Sequence, residues 1–117
     1  MRDKNERLVY KPWGVYLDIE RTPSSVFKRI TVSPECRLSL QSHRFRSEVW
    51  YIESGLAKIS IDDNIIKVGS GTSVNIPLGS VHRVENLSKD FDLIIFEVQT
   101  GVCSEDDITR HEDDYGR

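Results

Sequence analysis

Histidine is scarce in this sequence, with three copies in 117 residues, and cysteine is scarcer, with two. Two cysteines exclude a disulfide-stapled scaffold. Cys36 and Cys103 are expected to be free thiols, because a chain with no secretion signal meets a reducing compartment. Four prolines and seven glycines exclude collagen-like and low-complexity chains. Long apolar runs are missing too: none exceeds four residues, as at 93–96, far short of the roughly 20 residues of a membrane-spanning helix. The amino terminus places Arg2, Asp3, Lys4, Glu6 and Arg7 before any apolar stretch, so it lacks a signal-peptide core and a cytoplasmic location is expected. Nor is there an excess of positive charge. The formal net charge is -3; residues 104–117 carry six acids against Arg110 and Arg117, a local charge of -4, which leaves the rest at +1. Without a Lys/Arg cluster the chain is not expected to bind nucleic acid, whose recognition rests on neutralising many phosphates.

What is present is the composition of one folded domain, 38% hydrophobic and 30% charged, with enough length to bury a core. Residues 1–117 are read as a single unit, with 1–9 expected to be flexible and 104–117 an acidic tail or short helix. Short segments rich in Val, Ile, Phe, Tyr and Thr recur at 13–19, 26–32, 37–41, 48–52, 57–61, 65–68, 73–76, 82–86 and 93–98. Turn chemistry separates them: Ser33-Pro34, Ser54-Gly55, Asp62-Asp63-Asn64, Gly69-Ser70-Gly71 and Pro77-Leu78-Gly79. Many short strands with tight turns predict an all-β sandwich or barrel. Strand alternation puts Glu48, Trp50 and Ile52 on one face, with Val49, Tyr51 and Glu53 on the other. The one helical candidate is 104–109, where Ser104 can cap and acids fill the first turn.

Two of the three histidines sit in metal-binding company. Gln41 and His43 lie two apart, hence on one strand face, and a short turn leads to Glu48 at the head of the next strand. His82 opens a later strand. Two imidazoles, a carboxylate and an amide oxygen make a mixed nitrogen and oxygen donor set, suited to one divalent ion such as zinc, manganese, cobalt or iron, with coordination positions left for substrate. Glu97 lies in the apolar strand 93–98, where a carboxylate is costly unless hydrogen-bonded, paired or shifted in pKa. It is therefore either a candidate general base or the partner of a strand arginine such as Arg29. His111, in a polar tail, is read as solvated, and Trp13 and Trp50 as packing residues, with Trp50 able to wall the pocket.

The spacing of these residues carries a resemblance. From Glu35 through Gln41, His43 and Glu48 to Gly55, and from Gly71 through Pro77, Gly79 and His82 to Asn86, the sequence resembles the paired motifs of the cupin superfamily. It departs at two positions of the first motif: Glu35 stands where a Gly is usual, and Gln41 where a His is usual. The stretch Arg37-Leu38-Ser39-Leu40-Gln41-Ser42-His43 with Arg46-Ser47-Glu48 and Trp50 is similar to the cupin module of type II mannose-6-phosphate isomerases, in which a Gln takes that place. Lys11-Pro12-Trp13-Gly14, Ile76-Pro77-Leu78-Gly79-Ser80-Val81-His82-Arg83 and the closing Glu112-Asp113-Asp114-Tyr115-Gly116-Arg117 extend the likeness over nearly the whole chain.

The resemblance implies a double-stranded β-helix, or jelly-roll barrel, with a short C-terminal helical segment. It implies isomerisation of mannose 6-phosphate to fructose 6-phosphate through an enediol. Gln41, His43, Glu48 and His82 are then the metal ligands and Arg46 a catalytic or substrate-contacting cation; Glu97 stays the candidate base on the strength of its apolar strand alone. Lys28, Arg37 and Arg83 are weaker substrate-binding candidates. In many members the module follows a nucleotidyltransferase domain, so this chain is expected to lack guanylyltransferase activity, to work beside a separate nucleotidyltransferase, and to form a homodimer. The family commonly carries further histidines where this chain has Arg44, Phe45 and Val49, which keeps two other readings open: a cupin with another sugar-directed activity, and a non-catalytic metal- or sugar-binding module.

Overall fold

The computed structural model describes residues 8–117, which form eleven strands and no helix. In chain order they are β1 (Leu8–Lys11), β2 (Gly14–Thr22), β3 (Ser25–Val32), β4 (Leu40–Ser42), β5 (Arg46–Ser54), β6 (Leu56–Ile61), β7 (Asn64–Gly69), β8 (Ser73–Ile76), β9 (His82–Asn86), β10 (Leu93–Gly101) and β11 (Thr109–Glu112). One sheet has the order β1-β2-β3-β10-β5-β8 and the other β11-β4-β9-β6-β7, with every pairing antiparallel. The two sheets face each other across a shared interior.

Alternation explains which side chains fill that interior. Along β10, Leu93, Ile95, Glu97 and Gln99 are buried while Val98 is exposed; along β5, Arg46, Glu48, Trp50 and Ile52 are buried while Val49 and Tyr51 are exposed. The inward face of each strand changes character along its length. On β10 it runs from Leu93 and Ile95 to Glu97 and Gln99, on β5 from Ile52 to Glu48 and Arg46, and on β9 from Val84 to His82. The apolar ends meet as a core of Val32, Ile52, Ile59, Val84, Leu93 and Ile95, each side chain contributing about 1.5–3 kcal/mol by burial. The polar ends collect at a cavity beside that core. Outside, the larger sheet carries an apolar row, Phe27–Val98–Val49, set by register.

All nine expected strands have counterparts, and β1 and β11 are additional. β11 is exposed along its whole length and shows no alternation; backbone pairing with β4 holds it, which leaves no hydrophobic signal. Leu8 and Val9, expected to be flexible, lie in β1, while the remainder of that expectation falls outside the described residues. The expected C-terminal helix is a turn. The Asp107 N–H bonds the Ser104 carbonyl at 3.1 Å and the Ser104 hydroxyl caps Asp106 N at 3.2 Å, but one such turn is too short to propagate and the chain passes directly into β11.

Gly101 ends β10 opposite Arg46, with φ +128. A Cβ there would lie 2.3 Å from the Phe45 carbonyl oxygen. Gly101→Ala is expected to destabilise the fold by more than about 1 kcal/mol, read as a lower denaturation midpoint at unchanged m.

Candidate metal centre

His43, just past β4, Glu48 on β5 and His82 at the head of β9 bring ligand atoms within 4.8 Å of one another, and all three residues are buried. The Nε2 of His43 lies 3.4 Å from Glu48 Oε2, and the Nε2 of His82 lies 3.6 Å from Glu48 Oε1. Each imidazole is oriented from behind. His43 Nδ1 donates to the Asp107 carbonyl at 2.7 Å and His82 Nδ1 to the Ser80 carbonyl at 2.9 Å. A carbonyl only accepts, so both protons sit on Nδ1 and both Nε2 lone pairs face Glu48. Burial lowers the pKa of each ring; for His43 the neighbouring Arg46 adds to this and the value falls to about 4. Neutral imidazoles and a carboxylate, all presenting lone pairs and none a proton, converge on one point.

A cation fits that point. The buried Nε2 of His82 has no hydrogen-bond partner, and an unpartnered buried nitrogen costs roughly 1–3 kcal/mol. Gln41, whose register partner is His82, lines the same cavity, its amide Nε2 donating to the Ser39 carbonyl at 3.4 Å and the Ser39 hydroxyl at 3.3 Å. The donors suit a divalent metal ion with second-sphere carbonyls already in place. Arg46 reaches the same atoms from one side. Its Nε donates to Glu48 Oε2 at 3.0 Å and its Nη2 to His43 Nε2 at 3.3 Å, and its Nη1 is anchored by the Ser104 carbonyl at 2.9 Å.

Glu97 faces the same cavity. Its oxygens accept from Trp50 Nε1 at 2.8 Å and Gln99 Nε2 at 2.7 Å. Burial, reinforced by the Glu48 charge, raises its pKa to about 7 against the opposing pull of Lys28 and these two donors. No bond to Arg29 is formed; of its two register partners Trp50 donates to it, while Lys28 acts through its charge. Lys28 lies buried with Nζ 2.8 Å from Glu105 and 3.7 Å from Asp18, over the Tyr16 ring. Burial works against its ammonium, yet Glu97, Glu105 and Asp18 outweigh it and raise its pKa.

Two expected substrate contacts lie elsewhere. Arg37 bridges to Glu85 on β9 and bonds Asp114 at 2.6 and 2.9 Å; Arg83 bonds the Leu38 carbonyl, and both line a separate groove. Because the backbone is irregular between Arg37 and Leu40, alternation counted from Gln41 does not carry to Arg37. Gln99 and the Asp107 carbonyl have no counterpart in the sequence reading, and Trp50, expected to pack or to wall the pocket, adds a hydrogen bond to Glu97. Gln99 was accessible to alternation, being two residues beyond Glu97. The Trp50 indole contact and the Asp107 carbonyl behind His43 arise from tertiary packing alone.

Asp107 also fastens the turn before β5. Its oxygens accept from Arg44 N and Phe45 N, both at 2.9 Å. Burial opposes its negative charge, but these bonds prevail and lower its pKa. Asp107→Ala is expected to cost about 1 kcal/mol of stability and to weaken metal binding about 10-fold by loosening His43, measured by chelator competition.

Residues 2–113 match the family described as mannose-6-phosphate isomerase C-terminal. The chain belongs to this family. It is 45% identical over 112 residues to the xanthan biosynthesis protein XanB of Xanthomonas campestris, covering 95% of this chain and 24% of that protein. The mannose-1-phosphate guanylyltransferase of Escherichia coli is 44% identical over 112 residues, covering 95% and 23%. The chain thus spans about a quarter of these relatives. Among solved structures it resembles the capsular polysaccharide assembling protein CapF of Staphylococcus aureus (TM-score 0.78, 21% identity, 92% of this chain and 34% of that one) and an RmlC-like cupin of Shewanella frigidimarina (TM-score 0.77, 16% identity, 88% and 89%). The fold is that of a cupin. Within this mannose-6-phosphate isomerase C-terminal domain the positions held by Arg44, Phe45 and Val49 are exposed, with Phe45 at 55% and Val49 at 40%. Val49 lies on the outer face of β5, and the Arg44 guanidinium stacks on Phe45.

Proposed function

We propose that this domain is a metal-dependent aldose–ketose isomerase that interconverts mannose 6-phosphate and fructose 6-phosphate. One observation carries the reading: a buried carboxylate with a pKa near neutrality, Glu97, faces the same cavity as Glu48 and His82, whose donors converge with that of His43. Moving a proton between adjacent sugar carbons needs a base that accepts near pH 7 and returns the proton to the neighbouring carbon. Glu97 meets both demands, and the Trp50 and Gln99 donors fix its two oxygens in place. Gln41, His43, Glu48 and His82 would hold the metal, which when bound supplies Lewis-acid stabilisation of charge on the sugar oxygens. Arg46 adds a fixed guanidinium beside the ligand carboxylate, placed to meet a developing oxyanion. The apolar core behind the cavity keeps water from one side of the reacting carbons.

The exposed setting of residues 44, 45 and 49 favours turnover over a binding-only role, because histidines there would point away from the cavity and their replacement removes no group from it. The test is a coupled assay for fructose 6-phosphate formation by metal-stripped protein reloaded with zinc, manganese or cobalt. Metal-dependent turnover supports the reading; a loaded, folded protein inert with every ion overturns it.

A further inference from the structure

Five cationic side chains line the cavity: Lys11, Lys28, Arg46, Arg110 and Arg117. Three are committed to partners. Lys28 pairs with Glu105 and Asp18, Arg46 with Glu48 and His43, and Arg117 with Asp113 at 3.0 Å. Lys11 and Arg110 make no hydrogen bond, ion pair or ring contact among the described residues. For Arg110 this is unexpected, since it lies in a segment holding six acids. Its position explains why. In register, Arg110 on β11 pairs with Gln41 on β4, and Gln41 pairs with His82 on β9. Directly paired residues project from the same face of a sheet, so Arg110, Gln41 and His82 form one row across the cavity wall. Five of the six acids of its own segment are engaged elsewhere: Asp113 with Arg117, Asp114 with Arg37, Glu105 with Lys28, Glu112 with Arg83, and Asp107 with the backbone of residues 44 and 45.

We propose that Arg110, assisted by Lys11, is an anion subsite that receives the phosphate monoester of the substrate. Cations outnumber the lining carboxylates (Glu48, Glu97 and Glu105) five to three, which favours an anionic ligand such as a phosphate monoester. A free guanidinium grips two phosphate oxygens at once, and an ammonium adds a point charge. Two strand spacings separate Arg110 from His82, about 10 Å, the scale of an open-chain hexose with its reacting carbons at the metal donors and its phosphate at the rim. The sugar part of this inference rests on the isomerase reading; the anion part does not.

The test uses the full chain and the variants Arg110→Met, Arg110→Lys and Lys11→Met, with Lys67→Met, on exposed β7, as a charge-matched control. Inorganic phosphate and mannose 6-phosphate are titrated calorimetrically, and KM is measured on metal-loaded protein. Arg110→Met is expected to weaken both ligands and raise KM about 10- to 100-fold, with kcat falling far less. Arg110→Lys is expected to recover part of the loss, Lys11→Met to show a smaller one, and Lys67→Met to match wild type. Turnover with a KM indifferent to Arg110→Met overturns the subsite and leaves the isomerase reading standing. Arg110-dependent binding of phosphate or its ester without turnover supports the subsite and overturns the isomerase reading. Wild-type protein that binds neither ligand overturns the subsite.

Discussion

His82→Ala is expected to yield a folded chain that has lost at least about 100-fold in metal affinity and shows no isomerase rate above background. The proposed ligand set drops from four to three, and the residue lost is the one whose buried nitrogen has no hydrogen-bond partner. Orienting groups behind metal ligands are worth about 10- to 100-fold in affinity, so removal of a ligand itself exceeds that range. Metal analysis after dialysis gives the first readout and thermal unfolding the second. An ion at 100 times its dissociation constant stabilises wild type by about 2.7 kcal/mol, and the variant should gain nothing from the same addition. Because alanine also leaves a void beside Trp50, whose ring meets His82 edge-on at 5.5 Å, His82→Gln serves as the fuller-volume companion. Full metal occupancy in both variants would remove His82 from the centre.

Glu97→Gln is expected to retain the metal and lose at least about 100-fold in kcat, the usual scale of a general-base contribution. Its pH signature separates a titrating base from a structural carboxylate. In the metal-free protein the folded pKa of His43 is about 4, below its ordinary 6.5. Between these values the unfolded chain binds more protons, so stability falls as pH falls. Glu97 acts oppositely: its folded pKa of about 7 lies above the ordinary 4.5, the folded chain binds more protons between those values, and stability falls as pH rises. The two slopes offset each other across pH 4.5 to 6.5, with His82, also lowered, acting in the direction of His43. Glu97→Gln removes one slope. The variant should therefore lose stability on acidification more steeply than wild type, by up to about 1.4 kcal/mol per pH unit, in denaturant titrations across that window. Parallel profiles would show that Glu97 does not titrate there.

Much of this centre is legible in the sequence because period-two alternation is strong where one face is buried. Glu48, Trp50 and Ile52, and Leu93, Ile95 and Glu97, share inner faces as their spacing demands. His43 and His82 group with Glu48 through the resemblance of their spacing to the cupin motifs; the turns that set this spacing carry the chain from one sheet to the other, β4 to β5 and β8 to β9. Alternation failed where the chain leaves the sheet, as between Arg37 and Leu40, and was silent where a strand buries nothing, as in β11. Arg110 became a candidate only once β11 was seen paired beside β4, a contact between residues 69 apart in sequence. The Trp50–Glu97 bond, the Asp107 carbonyl behind His43 and the unpaired state of Arg110 depend on three-dimensional neighbours and leave no pattern in the chain.

The strand order also governs how the molecule assembles. β10 is tenth in sequence yet lies between β3 and β5, so the larger sheet stays divided until residues 93–101 are available. His43, Glu48 and His82 are therefore synthesised before the strand bearing Glu97 and before the carbonyl of Asp107 that orients the first imidazole. Non-local pairing of this kind folds slowly because chain closure must precede the contacts that reward it. On the ribosome the three donors emerge ahead of β10 and β11, the strands that close the two sheets around them.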